Sequence, residues 1–327
     1  MTSPLLDLPG AVAGDGIDAP VAAHYGSLYG EQRLLDAGEG FVDLSHRDVL
    51  RVTGPDRLTW LHSLTTQHLE ALGPKQWTGA LVLSPQGHVE HAFVGVDDGE
   101  SFTAHTEPGA GAALVTWLDR MRFMTRVEVT AVDDLAVTWR PSSAASADAG
   151  WYDAYELIPR AQLSSYAAAA GPAAGTWAFE ALRIARGEPR FGLDTDERTI
   201  PNEAGWIGPS VHLDKGCYRG QETVARVHTL GRPPRRLTLL HLDGSENRLP
   251  AVGSEIRVVD DAAGKVIGRV GTSARHHELG PIALALLKRN VDPAATLRVG
   301  DDADALVASQ EVVVDPEVGL HVRPKLR

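Results

Sequence analysis

One short stretch of the chain, Asp214–Glu222 (DKGCYRGQE), concentrates most of the side chains that could do chemistry. It holds the single cysteine of the chain, Cys217, together with an ammonium, a guanidinium, carboxylates and an amide. Its two glycines allow the backbone to bend sharply and to approach a ligand. Lys215 and Arg219 would stabilise a thiolate if their charges lay near the sulfur. The stretch therefore predicts a reactive or metal-sharing thiol; the alternative is that a lone cysteine is a small, inert apolar side chain.

The cysteine count limits the chemistry that the chain can do alone. With one cysteine, the chain has no intrachain disulfide, no four-thiolate iron-sulfur site and no zinc site of the several-cysteine type. The sequence also has no P-loop, no G-x-S-x-G and no H-E-x-x-H motif. His88-Val89-Glu90 has the H-x-E pattern of zinc deaminases but lacks the required P-C-x-x-C. We expect no resident metal, and any cluster chemistry must be shared with a partner.

Charge and hydropathy exclude several classes of partner. The chain has 31 Lys and Arg against 43 Asp and Glu, a formal charge of −12, which disfavours nonspecific binding to nucleic acid or to an anionic membrane. Residues 1–32 contain no Lys or Arg, so neither a signal peptide nor a transit peptide is predicted. No apolar run approaches the roughly 18 residues that span a bilayer. We predict a cytoplasmic, reduced protein with no membrane partner.

Turn residues and hydrophobic spacing predict the elements that position this stretch. Residues 1–20, rich in Gly and Pro, are expected to form a loose arm. Apolar runs at 77–84, 88–96 and 101–106, separated by turn residues, predict an antiparallel meander. A helix is predicted to start at Gly54-Pro55-Asp56, and another over residues 110–123.

The second half of the chain has a different pattern. Residues 141–150 have linker composition, and helices are predicted over 161–170 and 177–186. A long stretch rich in Gly and Pro, 188–220, follows and contains the cysteine. From residue 235 onward, short strand-like runs alternate with Gly, Pro and Asp, which predicts a small β-barrel or sandwich. The whole pattern favours an α+β fold.

The stretch around Cys217 resembles a known family signature. Residues 215–222 (KGCYRGQE) match the K-G-C-[FY]-x-G-Q-E signature of the YgfZ-type folate-binding proteins at every fixed position. These proteins are relatives of the glycine cleavage T-protein and act in iron-sulfur cluster protein maturation. Further segments resemble the family at 181–187, at 199–204 (TIPNEA), at 224–226 and in the basic stretch 232–236.

The resemblance implies a GcvT-like fold. Two interlocked α+β parts of ferredoxin-like character (residues 21–232) would follow the flexible arm (1–20) and precede a C-terminal β-barrel domain (233–327). The family arranges these parts around a central pocket for tetrahydrofolate or a related folate, so the resemblance implies that cofactor.

Candidate ligand contacts follow from the chemistry of folate. A pterin presents a ring N–H and an exocyclic amine that one carboxylate can accept, and Glu203 is the candidate, an ordinary surface glutamate being the alternative. The anionic glutamyl tail requires Arg or Lys, supplied by Arg226 or by one of Arg232, Arg235 and Arg236. Trp206 and Tyr218 are candidates to stack on the ring system. The predicted site comprises the thiol Cys217 and the folate-binding residues Glu203, Lys215, Tyr218, Gln221, Glu222 and Arg226.

One departure from the T-protein pattern bears on activity. Where a hairpin of the T-protein carries an Asp-Asp pair, the hairpin 86–93 of this chain has Glu90 and His91. The extra methylene of Glu90 moves the charge by about an ångström, and a misplacement of that size costs on the order of 100-fold in rate.

Three functions therefore stay open from the sequence. The first is a tetrahydrofolate-binding accessory protein for the assembly or repair of iron-sulfur enzymes, with Cys217 as the functional thiol. The alternative is a folate-dependent one-carbon transferase, an aminomethyltransferase or demethylase of the T-protein type. A third is recognition of structured RNA or of a tRNA-modification enzyme through residues 232–236, which the acidic net charge disfavours.

Overall fold

The computed structural model describes residues 1–141, 152–245, 248–259, 261, 264–301 and 305–321. All but the first residue of the predicted linker 141–150 lies outside the described residues. The chain folds into two compact units. The sheet unit comprises Met1–Val82, His91–Phe179 and Pro209–Tyr218, and the barrel unit comprises Leu83–Glu90, Glu180–Gly208 and Arg219–Arg327. The sequence prediction placed one boundary at residue 233. In the structure, the barrel unit instead contains segments from three parts of the chain.

The secondary structure follows a mixed order. The strands are β1 (Val12–Ala13), β2 (Ala22–His24), β3 (Phe41–Asp43), β4 (Asp48–Thr53), β5 (Trp77–Leu83), β6 (Val89–Asp97), β7 (Ser101–Thr106), β8 (Glu128–Val132), β9 (Leu135–Trp139), β10 (Tyr155–Pro159), β11 (Ala173–Ala174), β12 (Arg235–Leu242), β13 (Glu255–Val258), β14 (Gly268–His276), β15 (Gly280–Lys288), β16 (Leu297–Val299) and β17 (Leu306–Val312). The α-helices are α1 (Leu28–Asp36), α2 (Arg57–Leu64), α3 (Gly111–Arg120), α4 (Leu163–Ala170), α5 (Thr176–Ala185) and α6 (Gln221–Leu230).

Two sheets organise the sheet unit. One has five strands in the order β5-β6-β7-β4-β8, and the other has four in the order β10-β9-β3-β11. Helix α3 buries Leu114 and Leu118 in the same apolar cluster as Phe102 of β7. The predicted meander is confirmed, but α3 ends at Arg120, before the expected Phe123. Phe123 has a positive φ of 39° and a largely exposed ring, so it cannot continue the helix.

The first 20 residues are ordered, which differs from the loose arm that their composition predicted. The Ser3 hydroxyl donates one hydrogen bond to Asp43, and its backbone N–H donates to the carbonyl of Pro20 at 2.9 Å. Leu5 is buried in an apolar cluster with Phe41 and Leu163. A two-stranded sheet then pairs β1 with β2. The apolar side chains of the segment find partners far along the chain, which composition alone does not reveal.

The barrel unit contains a closed six-stranded barrel in the order β12-β15-β14-β13-β16-β17. Strand β12 pairs antiparallel with both β15 and β17, which closes the ring. Its interior is apolar and includes Leu240, Ile256 and Leu287. The α+β class and the C-terminal barrel expected from the sequence are confirmed.

A buried ionic network lies beside the barrel in the same unit. Arg183 of α5 is 1% exposed, and its guanidinium pairs with Glu180 and with Asp194 at 3.0 Å. It also donates to the backbone carbonyl of Glu188 at 2.8 Å and to the hydroxyl of Thr272 at 2.5 Å. Asp194 in turn accepts bonds from the backbone N–H of Thr272 at 2.6 Å. The network thus ties α5 and the loop after it to strand β14.

No helix in the described part of the chain is both long and apolar enough to cross a bilayer.

Candidate functional site

Cys217 lies at the surface of the sheet unit, in a loop anchored by its neighbour Lys215. The Lys215 ammonium donates hydrogen bonds to the backbone carbonyls of His62 and of Thr65, the latter at 2.5 Å. It also lies 5.1 Å from the centre of the Tyr218 ring, within the range of a cation–π contact. Burial lowers the pKa of Lys215 to about 8 and raises that of Tyr218 to about 12. The sole thiol is therefore accessible, and its loop is fixed by a largely buried lysine.

The turn after the thiol depends on Gly220. Its φ is +80°, and it immediately precedes helix α6. A Cβ there would lie 2.5 Å from the carbonyl oxygen of Ser84 and 3.0 Å from the Cα of Gly87. Only glycine meets both requirements, the left-handed backbone and the close approach to the hairpin.

The two cations that flank the thiol have other partners. Lys215 is bound to backbone carbonyls, and Arg219 forms a half-exposed ion pair with Glu90 at 2.8 Å in the barrel unit. The expectation that these charges stabilise a thiolate is therefore not supported by their contacts. The Glu90 carboxylate accepts the hydrogen bond from Arg219.

Glu203 is not an ordinary surface glutamate. It is 1% exposed, in a single 3-10 turn that begins at Pro201. Its carboxylate accepts hydrogen bonds from Arg235 at 2.8 and 3.0 Å and from the backbone N–H of Ile200 at 3.2 Å. The carboxylate that we expected to receive a pterin is thus already paired with a guanidinium.

Arg235 joins a second carboxylate to this pair. Its guanidinium also donates to Asp196 at 2.5 and 3.0 Å. The hydrogen bonds from Arg235, more than the opposing burial, lower the pKa of Asp196 to about 2.

We expect an acid-dependent contribution to stability from Asp196. Because its pKa is lowered on folding, its ionised form stabilises the folded state above about pH 4, and this stabilisation is lost as the pH falls towards 2. The side chain is half exposed, so the contribution is at most about 1 kcal/mol. Urea unfolding between pH 3 and 6 should show a difference between wild type and Asp196→Asn that shrinks with acid. Glu197→Gln at the exposed next position is the control; a pH-independent difference for Asp196→Asn would contradict the assignment.

The candidates for the glutamyl tail differ in accessibility. Arg236 is fully buried and bonds to Thr238 and Gln310. Arg226 on α6 is 63% exposed and forms an ion pair at 2.5 Å with Glu222, which lies one turn earlier on the same helix. Exposed i, i+4 pairs contribute little and open readily. Arg232 is 55% exposed and lies 3.5 Å from Glu317, so Arg226 is the most exposed of these arginines and Arg232 is second.

The remaining predicted residues divide between the units. Gln221 and Glu222 form the first turn of α6 in the barrel unit, while Lys215, Cys217 and Tyr218 belong to the sheet unit. The rings of Trp206 and Tyr218 are largely buried.

A group of histidines in the sheet unit was missed by the sequence motifs. Imidazole nitrogens of His62 and His68 and a carboxylate oxygen of Glu70 lie within 4.8 Å of one another. The ring of His212 stacks edge-on against that of His68, with 5.2 Å between centres. Burial, and then the charge of Lys215, lower the pKa of His62. The available signal was the spacing His62-x5-His68-x-Glu70, which matches no standard motif.

Comparisons with known proteins show what this chain is similar to. No family model matches the chain. A candidate transferase of Arabidopsis thaliana, named as chloroplastic, is 25% identical over 84% of this chain and 71% of its own length. The tRNA-modifying protein YgfZ of Escherichia coli is 30% identical over 128 residues, and the match spans 38% of each sequence. The chain is thus similar to YgfZ-type proteins in the signature around Cys217 and over these 128 residues.

The fold of this chain matches that of a solved aminomethyltransferase. The glycine cleavage system aminomethyltransferase T from Bartonella henselae superposes with a TM-score of 0.79, covering 96% of this chain and 97% of that one. The two sequences are 16% identical, so the likeness concerns the fold. The GcvT-like fold implied by the signature is confirmed.

Proposed function

We propose that this protein binds tetrahydrofolate and serves as an accessory factor for the assembly or repair of iron-sulfur enzymes, with Cys217 as its functional thiol. The observation that carries the proposal is that the only cysteine of the chain is exposed within a complete family signature. An exposed free thiol suits a reducing compartment, which supports a cytoplasmic location. The Escherichia coli relative is named as a tRNA-modifying protein, which supports a connection with tRNA modification. The net charge of −12 disfavours direct binding of this chain to RNA.

The proposed folate contacts are those predicted from the sequence, with roles refined by their surroundings. Arg226 binds a carboxylate of the glutamyl tail in place of Glu222. Glu203 accepts the pterin N–H groups, which requires that the pterin compete with Arg235 for the carboxylate. Lys215, Tyr218, Gln221 and Glu222 complete the proposed set of folate-binding residues.

A tail-specific titration tests the role of Arg226. We expect Arg226→Gln to weaken the binding of tetrahydrofolate about 10-fold or more, because a charge-assisted contact with a carboxylate is lost. Binding of a reduced pteroate, which lacks the glutamyl group, should be unchanged. The matched control is Arg269→Gln, a barrel arginine that is 61% exposed and also paired with a glutamate. Equal losses for both ligands, or for both variants, would contradict the assignment.

The pterin role of Glu203 has its own test. Glu203→Ala is expected to abolish measurable tetrahydrofolate binding in a calorimetric titration. Because the side chain is buried beside Arg235, Glu203→Gln serves as a second variant that keeps the volume and one acceptor oxygen. Thermal unfolding of each variant checks that it is folded. Wild-type affinity in folded Glu203→Ala would show that the pocket assignment is wrong.

The role of the thiol is tested in cells. In a strain lacking the gene, Cys217→Ala is expected to keep its fold and its folate affinity but to lose the restoration of iron-sulfur enzyme activity. Because Cys217 is exposed, we expect neither Cys217→Ala nor Cys217→Ser to impair folding. Cys217→Ser also keeps the size of the side chain. Full restoration by both variants would remove the thiol from the mechanism.

A second candidate function is favoured by the Arabidopsis relative, which is named as a candidate transferase and aligns with 84% of this chain. The chain would then transfer a one-carbon unit to or from tetrahydrofolate, with Glu90 as the carboxylate near the reacting amine. The pairing of Glu90 with Arg219 disfavours that role. Turnover to methylene-tetrahydrofolate with a lipoyl-carried aminomethyl group, lost in Glu90→Gln, would establish it over the accessory role.

A further inference from the structure

The group His62, His68 and Glu70 in the sheet unit has the composition of a metal site. One imidazole nitrogen from each histidine and one carboxylate oxygen lie within 4.8 Å of one another. Two imidazoles and a carboxylate are a common ligand set for zinc and related ions, whereas magnesium and calcium prefer oxygen ligands alone. We propose that these three residues bind a divalent transition-metal ion of the zinc class.

The geometry requires only a small adjustment. Ligand distances of about 2.0–2.2 Å place tetrahedral ligand atoms roughly 3.4 Å apart, closer than the present limit of 4.8 Å. Glu70 is exposed on a short 3-10 turn, so its side chain can swing inward without disturbing the core. His62 is already placed, since its backbone carbonyl accepts the Lys215 ammonium.

An unsatisfied atom marks the same group. Nδ1 of His62 is buried and has no hydrogen-bond partner among the described residues. A buried polar nitrogen without a partner is costly. Its Nε2 faces the backbone of the signature, where a Cβ added to Gly216 would lie 3.8 Å away. A bound ion would give one of these ring nitrogens a partner.

The neighbouring ring of His212 is outside the ligand set. Its Nδ1 accepts a hydrogen bond from the backbone N–H of Asp214 at 3.2 Å, so the proton of the neutral ring resides on Nε2. Neither nitrogen then has a free lone pair. Three protein ligands leave at least one coordination position for water or an exogenous ligand, as in open rather than structural zinc sites.

The proposed metal site has both a negative and a positive side chain nearby. The Glu70 carboxylate attracts a cation, while the Lys215 ammonium repels it but is bound to the carbonyls of His62 and Thr65. Binding by imidazole is less sensitive to this repulsion from Lys215 than binding by charge alone, because the nitrogen lone pairs form coordinate bonds with the metal ion.

The test uses Co²⁺ and Zn²⁺ as probes on untagged, chelator-treated full-length protein. We expect one equivalent of Co²⁺ to give visible d–d bands, and Zn²⁺ to displace it. His68→Ala and the exposed Glu70→Gln should each weaken binding by at least about 10-fold, with wild-type circular dichroism. His212→Ala is the matched control for a neighbouring imidazole, and Cys217→Ala excludes the thiol as a ligand; both should bind as wild type.

Several results would overturn the site. These are no stoichiometric binding by wild type, unchanged binding by both His68→Ala and Glu70→Gln, or an equal loss in His212→Ala or Cys217→Ala. The proposal is independent of folate binding, because metal affinity is measured without folate and the tail-specific titration is measured without metal. Failure of either experiment therefore leaves the other interpretable.

Discussion

Replacement of Arg183 by methionine is expected to destabilise the folded protein by about 3–5 kcal/mol. The guanidinium is 1% exposed and faces the fully buried carboxylate of Asp194 at 3.0 Å. Methionine fills much of the volume but leaves that carboxylate without its charged partner. An uncompensated buried charge costs far more than the net contribution of the intact pair. Urea unfolding followed by far-UV circular dichroism measures the change.

Two further variants define the cause of the Arg183 effect. Arg269→Met removes an exposed ion pair with Glu255 and should cost at most about 1 kcal/mol. Adding Asp194→Asn to Arg183→Met should recover part of the loss, because the stranded charge is removed. A cost of less than about 1 kcal/mol for Arg183→Met, or no recovery in the double variant, would contradict the buried-charge explanation.

The second large effect is expected from Gly220→Ala, at about 2–5 kcal/mol. Left-handed backbone costs a non-glycine residue about 1–2 kcal/mol, and forcing a methyl into a packed site adds about 1–3 kcal/mol. At Gly220 both apply, since φ is +80° and the new Cβ would meet the Ser84 carbonyl oxygen at 2.5 Å. Urea unfolding again gives the magnitude.

Gly192 separates the two contributions to the Gly220 effect. It lies in the same unit with a φ of +82°, but a Cβ there meets no atom within 4 Å. Gly192→Ala should therefore show only the backbone cost, about 1–2 kcal/mol. Equal costs at the two positions would mean that the close approach to the hairpin at Ser84 is unimportant.

Local patterns predicted the regular parts of this fold. The meander β5-β6-β7 and the barrel strands were identified because turn residues separate apolar runs, a signal carried by adjacent positions. The order of residues 1–20 was missed because it depends on burial of Leu5 against Phe41 and Leu163, which are distant in sequence. Composition describes what a segment contains, but not which partners it meets.

In the candidate site too, local sequence identified some features, and tertiary packing determined others. The signature singled out Cys217, which is exposed in the structure, and its role as a functional thiol stays a proposal. The partner of Glu203, however, is Arg235, 32 residues away, and Lys215 reaches the carbonyl of His62 across 153 residues. Pairings at such separations are set by tertiary packing, so residue types could suggest a free carboxylate and a free ammonium where the structure has neither.

The ring closure of β12 onto β17 leaves no free sheet edge in the described part of the barrel. Sheets with exposed edge strands can bind extended segments of other chains through main-chain hydrogen bonds. In the described part of the barrel, every strand has a neighbour on both sides, so that mode of recruitment is denied to this surface. A protein that binds the barrel must therefore contact its side chains and loops. Substitutions there can change the binding specificity without changing the strand pairing of the barrel.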